Sequence, residues 1–168
     1  MKTATHFRSS APESAIEDLN ALLPPFTPLI TIDGHSGVGK SRVAKALGPL
    51  RQSTLISIDK LVIADRPLPT YVPKVDRQQL ASAITSSLSQ GTAVVDGLCI
   101  EHLVPAHYGE RFRIYVRSEA DGDGLRSEIE RRTKLGTNLY HKRYNPEAIA
   151  DLIVTVPYEL WEIGEPCD

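Results

Sequence analysis

The chain has 168 residues, of which 41% are hydrophobic and 24% charged, with a net charge of −2. This is enough for one buried core, and the composition is that of an ordinary globular domain rather than a disordered or fibrous chain. The small net charge excludes a global pull toward nucleic acid, no apolar run reaches membrane length, and Cys99 and Cys167 are too far apart in sequence for a C-x-x-C motif.

A single domain over residues 1–168 is therefore expected. The two cysteines offer no disulfide scaffold or zinc site, and residues 1–7 lack an apolar signal core, so the expected compartment is the cytoplasm. Residues 1–12 read as loose and polar. From Pro12 to Leu23, apolar Ala15, Ile16, Leu19, Leu22 and Leu23 recur at helical spacing, which predicts a short helix over the sheet edge. Residues 1–25 thus form an N-terminal extension and helix with no evident chemistry. Pro24, Pro25 and Pro28 end it and lead into the β-branched run Leu29-Ile30-Thr31-Ile32, a buried strand.

Next comes Gly34-His35-Ser36-Gly37-Val38-Gly39-Lys40-Ser41, the full G-x-x-x-x-G-K-S pattern of a phosphate-binding loop. Arg42 to Leu47 reads as a helix stopped by Gly48-Pro49, so the loop has its required strand–loop–helix setting. Glycines let the backbone bend and bring N–H groups close to phosphate oxygens, and the helix N-terminus adds a positive dipole end. In this pattern Lys40 reaches the β- and γ-phosphates and the Ser41 hydroxyl ligates Mg2+. The dinucleotide fingerprint G-x-G-x-x-G is absent, because the glycines fall at 34, 37 and 39.

A second strand, Thr54 to Ile58, ends at Asp59, and a proline-rich stretch from Leu61 to Pro73 follows. Asp76 caps a helix with Leu80, Ile84 and Leu88 at four-residue intervals, closed by Gly91. Thr92 to Val95 is a third strand ending at Asp96-Gly97, and Phe112 to Val116 is a fourth. A helix from about Gly124 to Lys134, capped by Gly136, precedes a last strand over Asp151 to Val156. Strands alternating with helices predict an α/β fold: a P-loop NTPase-type sandwich with a five-stranded parallel sheet and helices on both faces. Ligands then collect at the carboxyl ends of the strands, where the loop, Asp59 and Asp96 all fall.

Asp96 at a strand end is suited to holding Mg2+ directly or through water, though an ordinary Asp-Gly turn would look the same. Asp59 is placed to orient an incoming hydroxyl as general base, or merely to cap a helix. Residues 126–143 carry Arg126, Arg131, Arg132, Lys134, Lys142 and Arg143. Arg131 or Arg132, on a lid over about 124–146, would neutralise a transferring phosphoryl group, while others form a solvated face. Asp121-Gly122-Asp123-Gly124 fails as a calcium loop because Arg132 stands where a Glu is needed. The five histidines show no metal spacing, and Tyr71, Tyr140, Tyr144 and Trp161 are read either as base-stacking groups or as packing.

The order of these motifs resembles the uridine kinase and phosphoribulokinase branch of the P-loop kinases. The likeness rests on Ile32-Asp33-Gly34 through Ser41, Ser57-Ile58-Asp59, Tyr71-Val72-Pro73 with Asp76 and Leu80, Val94-Val95-Asp96-Gly97, Ile114-Tyr115-Val116, and Arg126 through Arg132. It continues with Arg143-Tyr144-Asn145-Pro146 and Ala150 to Val154. Asp96 stands where that family usually has Glu, Arg117 where it often has Asp, and the stretch between Asp59 and Asp96 is shorter than in typical uridine kinases. The resemblance implies a Mg-ATP-dependent kinase passing the γ-phosphoryl group to a hydroxyl of a small molecule, with a nucleoside the favoured acceptor. Lys40, Asp59, Arg131 and Arg132 would serve catalysis and Ser41 and Asp96 the metal. Another small-metabolite kinase, a nucleotide-binding regulatory ATPase, and an inert ATP-binding module stay open as alternatives.

Overall fold

The computed structural model describes residues 5–8, 14–63, 71–118 and 128–156. Six parallel strands are ordered β1-β6-β5-β2-β4-β3: β1 Thr5–Arg8, β2 Leu29–Gly34, β3 Thr54–Ser57, β4 Ala93–Asp96, β5 Phe112–Ser118 and β6 Leu152–Val156. Alternation along the strands sends side chains to opposite faces, and both are covered. Ile30, Ile32, Val94, Ile114, Val116, Leu152 and Val154 point toward α1 (Ser14–Leu22) and α2 (Lys40–Leu50), meeting Leu19, Val43 and Leu47. Leu29, Ile56, Ala93 and Val95 face the other way, against Leu80 and Ile84 of α3 (Arg77–Gln90), Ile100 and Leu103 of α4 (Ile100–Leu103), and Tyr140 of α5 (Glu128–Tyr144).

The sheet has six strands, not five. Residues expected to be loose supply β1, which pairs with β6 from Thr5↔Leu152 to Arg8↔Thr155, and the Thr5 N–H donates to the Asp151 carbonyl at 3.1 Å. A four-residue edge strand is held by backbone pairing, and Thr-His-Phe-Arg carries too little apolar signal to announce it. Leu19 and Leu23 of α1 join the core cluster that holds α2 residues together with Leu152 and Val154 of β6. The α1 end is tied to α2 by Arg51, whose guanidinium donates to Asn20 Oδ1 (2.6 Å) and to the carbonyls of Asn20, Leu23 and Pro24. Carbonyls left open where a helix stops are satisfied by this cation.

Two helices outrun their sequence signals. α2 continues through Gly48-Pro49 to Leu50. α5 is described from Glu128 and passes Gly136 to Tyr144, while the expected start near 124 lies outside the described residues. A glycine inside a helix costs only about 1 kcal/mol, which packing beyond it outweighs, here that of buried Thr137 and Tyr140. The true stop is Asn145, in the left-handed region at φ 43, followed by Pro146. As expected, Asp76 caps α3 by accepting from the Gln79 N–H at 2.9 Å.

Where β2 leaves the sheet its neighbours crowd it. Gly34 has φ 149, and a Cβ there would lie 2.2 Å from the Val116 carbonyl oxygen of β5. Gly48, by contrast, sits in a helix with open space around an added Cβ. Opposite signs are expected: Gly34→Ala should lower unfolding free energy by about 3 kcal/mol or more, while Gly48→Ala should raise it by about 0.5–1 kcal/mol. Urea denaturation of both variants reads the difference; equal effects would contradict this backbone contact.

Candidate phosphate-loop site

The parallel register brings three strand ends to one level. Ile32 of β2 stands opposite Asp96 of β4, and Asp96 opposite Ser57 of β3. Gly34 through Gly39 then form the turn into α2, with Gly37 at φ 79 and Gly39 at φ 93. These left-handed conformations suit glycine and aim the loop and the start of α2 at one spot.

Lys40 is the first helical residue and only 7% exposed. Its ammonium donates to the His35 carbonyl oxygen across the loop at 2.6 Å. Burial lowers the Lys40 pKa, and the charges of Asp33, Asp59 and Asp96 oppose that shift. One cation thus lies in the field of three carboxylates, and an incoming polyphosphate would meet the loop's N–H groups and this lysine together.

The Ser41 hydroxyl donates to Asp96 Oδ2 at 2.7 Å, while Asp96 Oδ1 is buried with no hydrogen-bond partner among the described residues. Burial raises the Asp96 pKa, and the Ser41 bond pulls it down. An oxygen pair from Ser41 and Asp96, with one carboxylate oxygen left bare, fits the donor set of a Mg2+ that takes its other ligands from water and phosphate. Among the described residues no three His, Cys, Asp or Glu side chains cluster as an all-protein metal site.

Asp59 lies on the short 3-10 helix Ile58–Leu61 just past β3. Its Oδ1 accepts from the Tyr71 hydroxyl. The backbone around that pair is fastened by an antiparallel bridge between Val62 and Val75, with Asp76 N–H to Leu61 O and Ile63 N–H to Lys74 O at 2.9 Å each. Burial and the Asp59 charge push the Tyr71 phenol upward, which keeps it a donor. Cys99, buried at the start of α4, has its thiol pushed up to about 12 chiefly by burial, so it is no thiolate nucleophile at neutral pH.

A second network had no counterpart in the sequence analysis. Asp33 is 6% exposed and accepts from the Gly34 N–H (2.7 Å) through Oδ1 and from the Tyr140 hydroxyl through Oδ2. Tyr140 in turn accepts from the Glu101 N–H at 3.1 Å. Burial raises the Asp33 pKa against the pull of Tyr140 and Gly34. One available signal was a carboxylate closing an otherwise apolar strand; its partner, 107 residues away, left none.

Of the residues singled out from the sequence, Gly34 through Ser41 and Asp96 converge at the strand ends, and Asp59 sits two residues past its strand. Arg131 and Arg132 fall on the first half of α5, but their side chains lie outside the described residues, as do Arg126, the 121–124 stretch and Trp161. Tyr140 and Tyr71 hold carboxylates, and Tyr144 hydrogen-bonds His102 Nδ1 at 2.9 Å.

No protein-family model matches the chain, and no curated protein matches it. Among solved structures, that of a possible uridine kinase from Bacillus stearothermophilus superposes with a TM-score of 0.56 at 14% identity, covering 85% of this chain and 96% of that one. A structure of an uncharacterized protein from Eubacterium ventriosum reaches a TM-score of 0.46 at 15% identity, over 78% of this chain and 89% of that one. The two chains share an α/β fold, a parallel sheet with helices on both faces. No helix among the described residues is long and apolar enough to cross a membrane.

The raised pKa of Asp96 has a thermodynamic consequence. A carboxyl raised on folding favours the fold below its ordinary pKa and loses that contribution as pH climbs through the raised value. Asp96→Asn still accepts from Ser41, so it should stabilise the fold by about 1 kcal/mol near pH 8 and by almost nothing near pH 3. Urea midpoints at the two pH values check this, and an effect independent of pH would refute it.

Proposed function

We propose that this protein is a Mg-ATP-dependent phosphotransferase that moves the γ-phosphoryl group of ATP to a hydroxyl of a small molecule, with a nucleoside the favoured acceptor. The observation that carries the reading is the Ser41–Asp96 pair, with one bare carboxylate oxygen, beside a buried Lys40 at the mouth of a complete phosphate loop. The fold likeness to a possible uridine kinase supports the same class.

In this reading the loop N–H groups and Lys40 hold the β- and γ-phosphates, with the two further donors of the Lys40 ammonium beside its bond to the His35 carbonyl. Ser41 and Asp96 would hold Mg2+, which when bound neutralises charge on the phosphate oxygens. Asp59 accepts the acceptor hydroxyl's proton or aligns its oxygen, and the Tyr71 bond fixes the carboxylate that does so. Arg131 or Arg132 would close over the transferring group. Such a site works by positioning and charge stabilisation.

The test is ADP release from Mg-ATP across a panel of nucleosides, sugars and cofactor precursors. Acceptor-dependent ADP with a phosphorylated product is expected; ADP release indifferent to every acceptor would instead indicate an ATPase. Asp59→Asn should cut transfer by about 10²-fold or more while leaving ATP affinity within about twofold. Lys40→Ala should weaken ATP binding itself, by about tenfold or more. Isothermal titration separates the two variants, and an Asp59→Asn enzyme with undiminished turnover would remove Asp59 from the mechanism.

A further inference from the structure

The loop residue that holds Lys40 is itself held from outside the loop. The His35 ring stacks on the ring of His141 in α5, with centroids 3.9 Å apart and planes 8° from parallel. His141 is fixed in turn: its Nδ1 donates to the Thr137 carbonyl at 2.8 Å, and Tyr140 and Tyr115 meet its ring edge-on at 5.3 and 5.8 Å. Its Nε2 is buried with no hydrogen-bond partner among the described residues. One residue earlier on α5, Tyr140 donates to Asp33, which accepts the Gly34 N–H at the base of the same loop. Neighbouring residues of one helix therefore grip the phosphate loop at two points, its entry and its first variable position.

We propose that Tyr140 and His141 are positioning residues: the His35–His141 stack and the Tyr140–Asp33 bond form a clasp by which α5 sets the phosphate loop and registers its occupancy. The inference rests on the nucleotide-binding reading given above. Lys40 is bonded to the backbone oxygen of the stacked residue, so a shift of its ammonium toward a phosphate is felt at the residue His141 holds. An aromatic stack is worth enough to matter for a glycine-rich loop whose tip, Ser36-Gly37, is exposed.

The experiment uses the full chain and Mg-ADP as probe, with affinity from isothermal titration and histidine ring signals from NMR. His141→Ala should weaken ADP binding by about fivefold, and His141→Phe, which keeps a stacking ring, should restore it to within about twofold. His35→Ala breaks the stack from the loop side and should give the same loss. In the wild type the His141 ring signals should move on ADP addition, and in His35→Ala they should stay still. Circular dichroism establishes that each variant is folded, and the His35 variant carries the test if His141→Ala is not. Unchanged affinity in both alanine variants, or a loss that phenylalanine fails to restore, would overturn the clasp while leaving nucleotide binding intact. A wild-type chain that binds no ADP would overturn the nucleotide reading and the clasp with it.

Discussion

Asp33 is a carboxylate at the end of the central strand, placed where an apolar core gives way to a loop. Burying such a group costs several kcal/mol unless donors replace the water it loses. Here they come from the next residue in the chain, Gly34, and from a helix more than a hundred residues later, through Tyr140. The requirement to satisfy that carboxylate joins β2, the phosphate loop and α5, and Tyr140 extends the joint to α4 by accepting from Glu101. The loop can be glycine-rich and still have a defined starting point because its first peptide is anchored this way.

Around that anchor the sheet does the rest. Parallel strands end in step, so Asp96 and Ser57 arrive level with the end of β2, and Asp59 follows within two residues. Lys40 sits in the field of three carboxylates, and its burial and their attraction act on its pKa in opposite directions. In the proposed reading, a multiply charged anion and a divalent cation would arrive at this site together. Both charge signs are already in place, and one lysine among three carboxylates leaves the negative charge in excess.

The parts of this arrangement that depend on short sequence separation were legible. The G-x-x-x-x-G-K-S run, the flanking strand and helix, the Asp76 cap and the alternating strand pattern are all local, and each lies where expected. Misreadings came where a local rule was overridden. Gly136 and Gly48-Pro49 look like helix stops, yet α5 and α2 run through them; in α5 the packing of Thr137 and Tyr140 outweighs one poor propensity. The strand β1 was invisible because backbone pairing with β6, rather than side-chain pattern, defines it.

The sequence by itself determined the strand–loop–helix unit, the glycines that permit its bends, and the identity of the residues offered to a phosphate and a metal. Those features reside in steps of a few residues, where backbone geometry and side-chain chemistry are set by neighbours in the chain. Only the tertiary structure decided which carboxylates share Lys40, that Ser41 meets Asp96, that Tyr71 restrains Asp59, and that His35 rests on His141. These contacts join residues from seven to more than a hundred positions apart, and they follow from strand order and helix placement. The cooperative burial of two sheet faces fixes that order, and no short window of sequence encodes it.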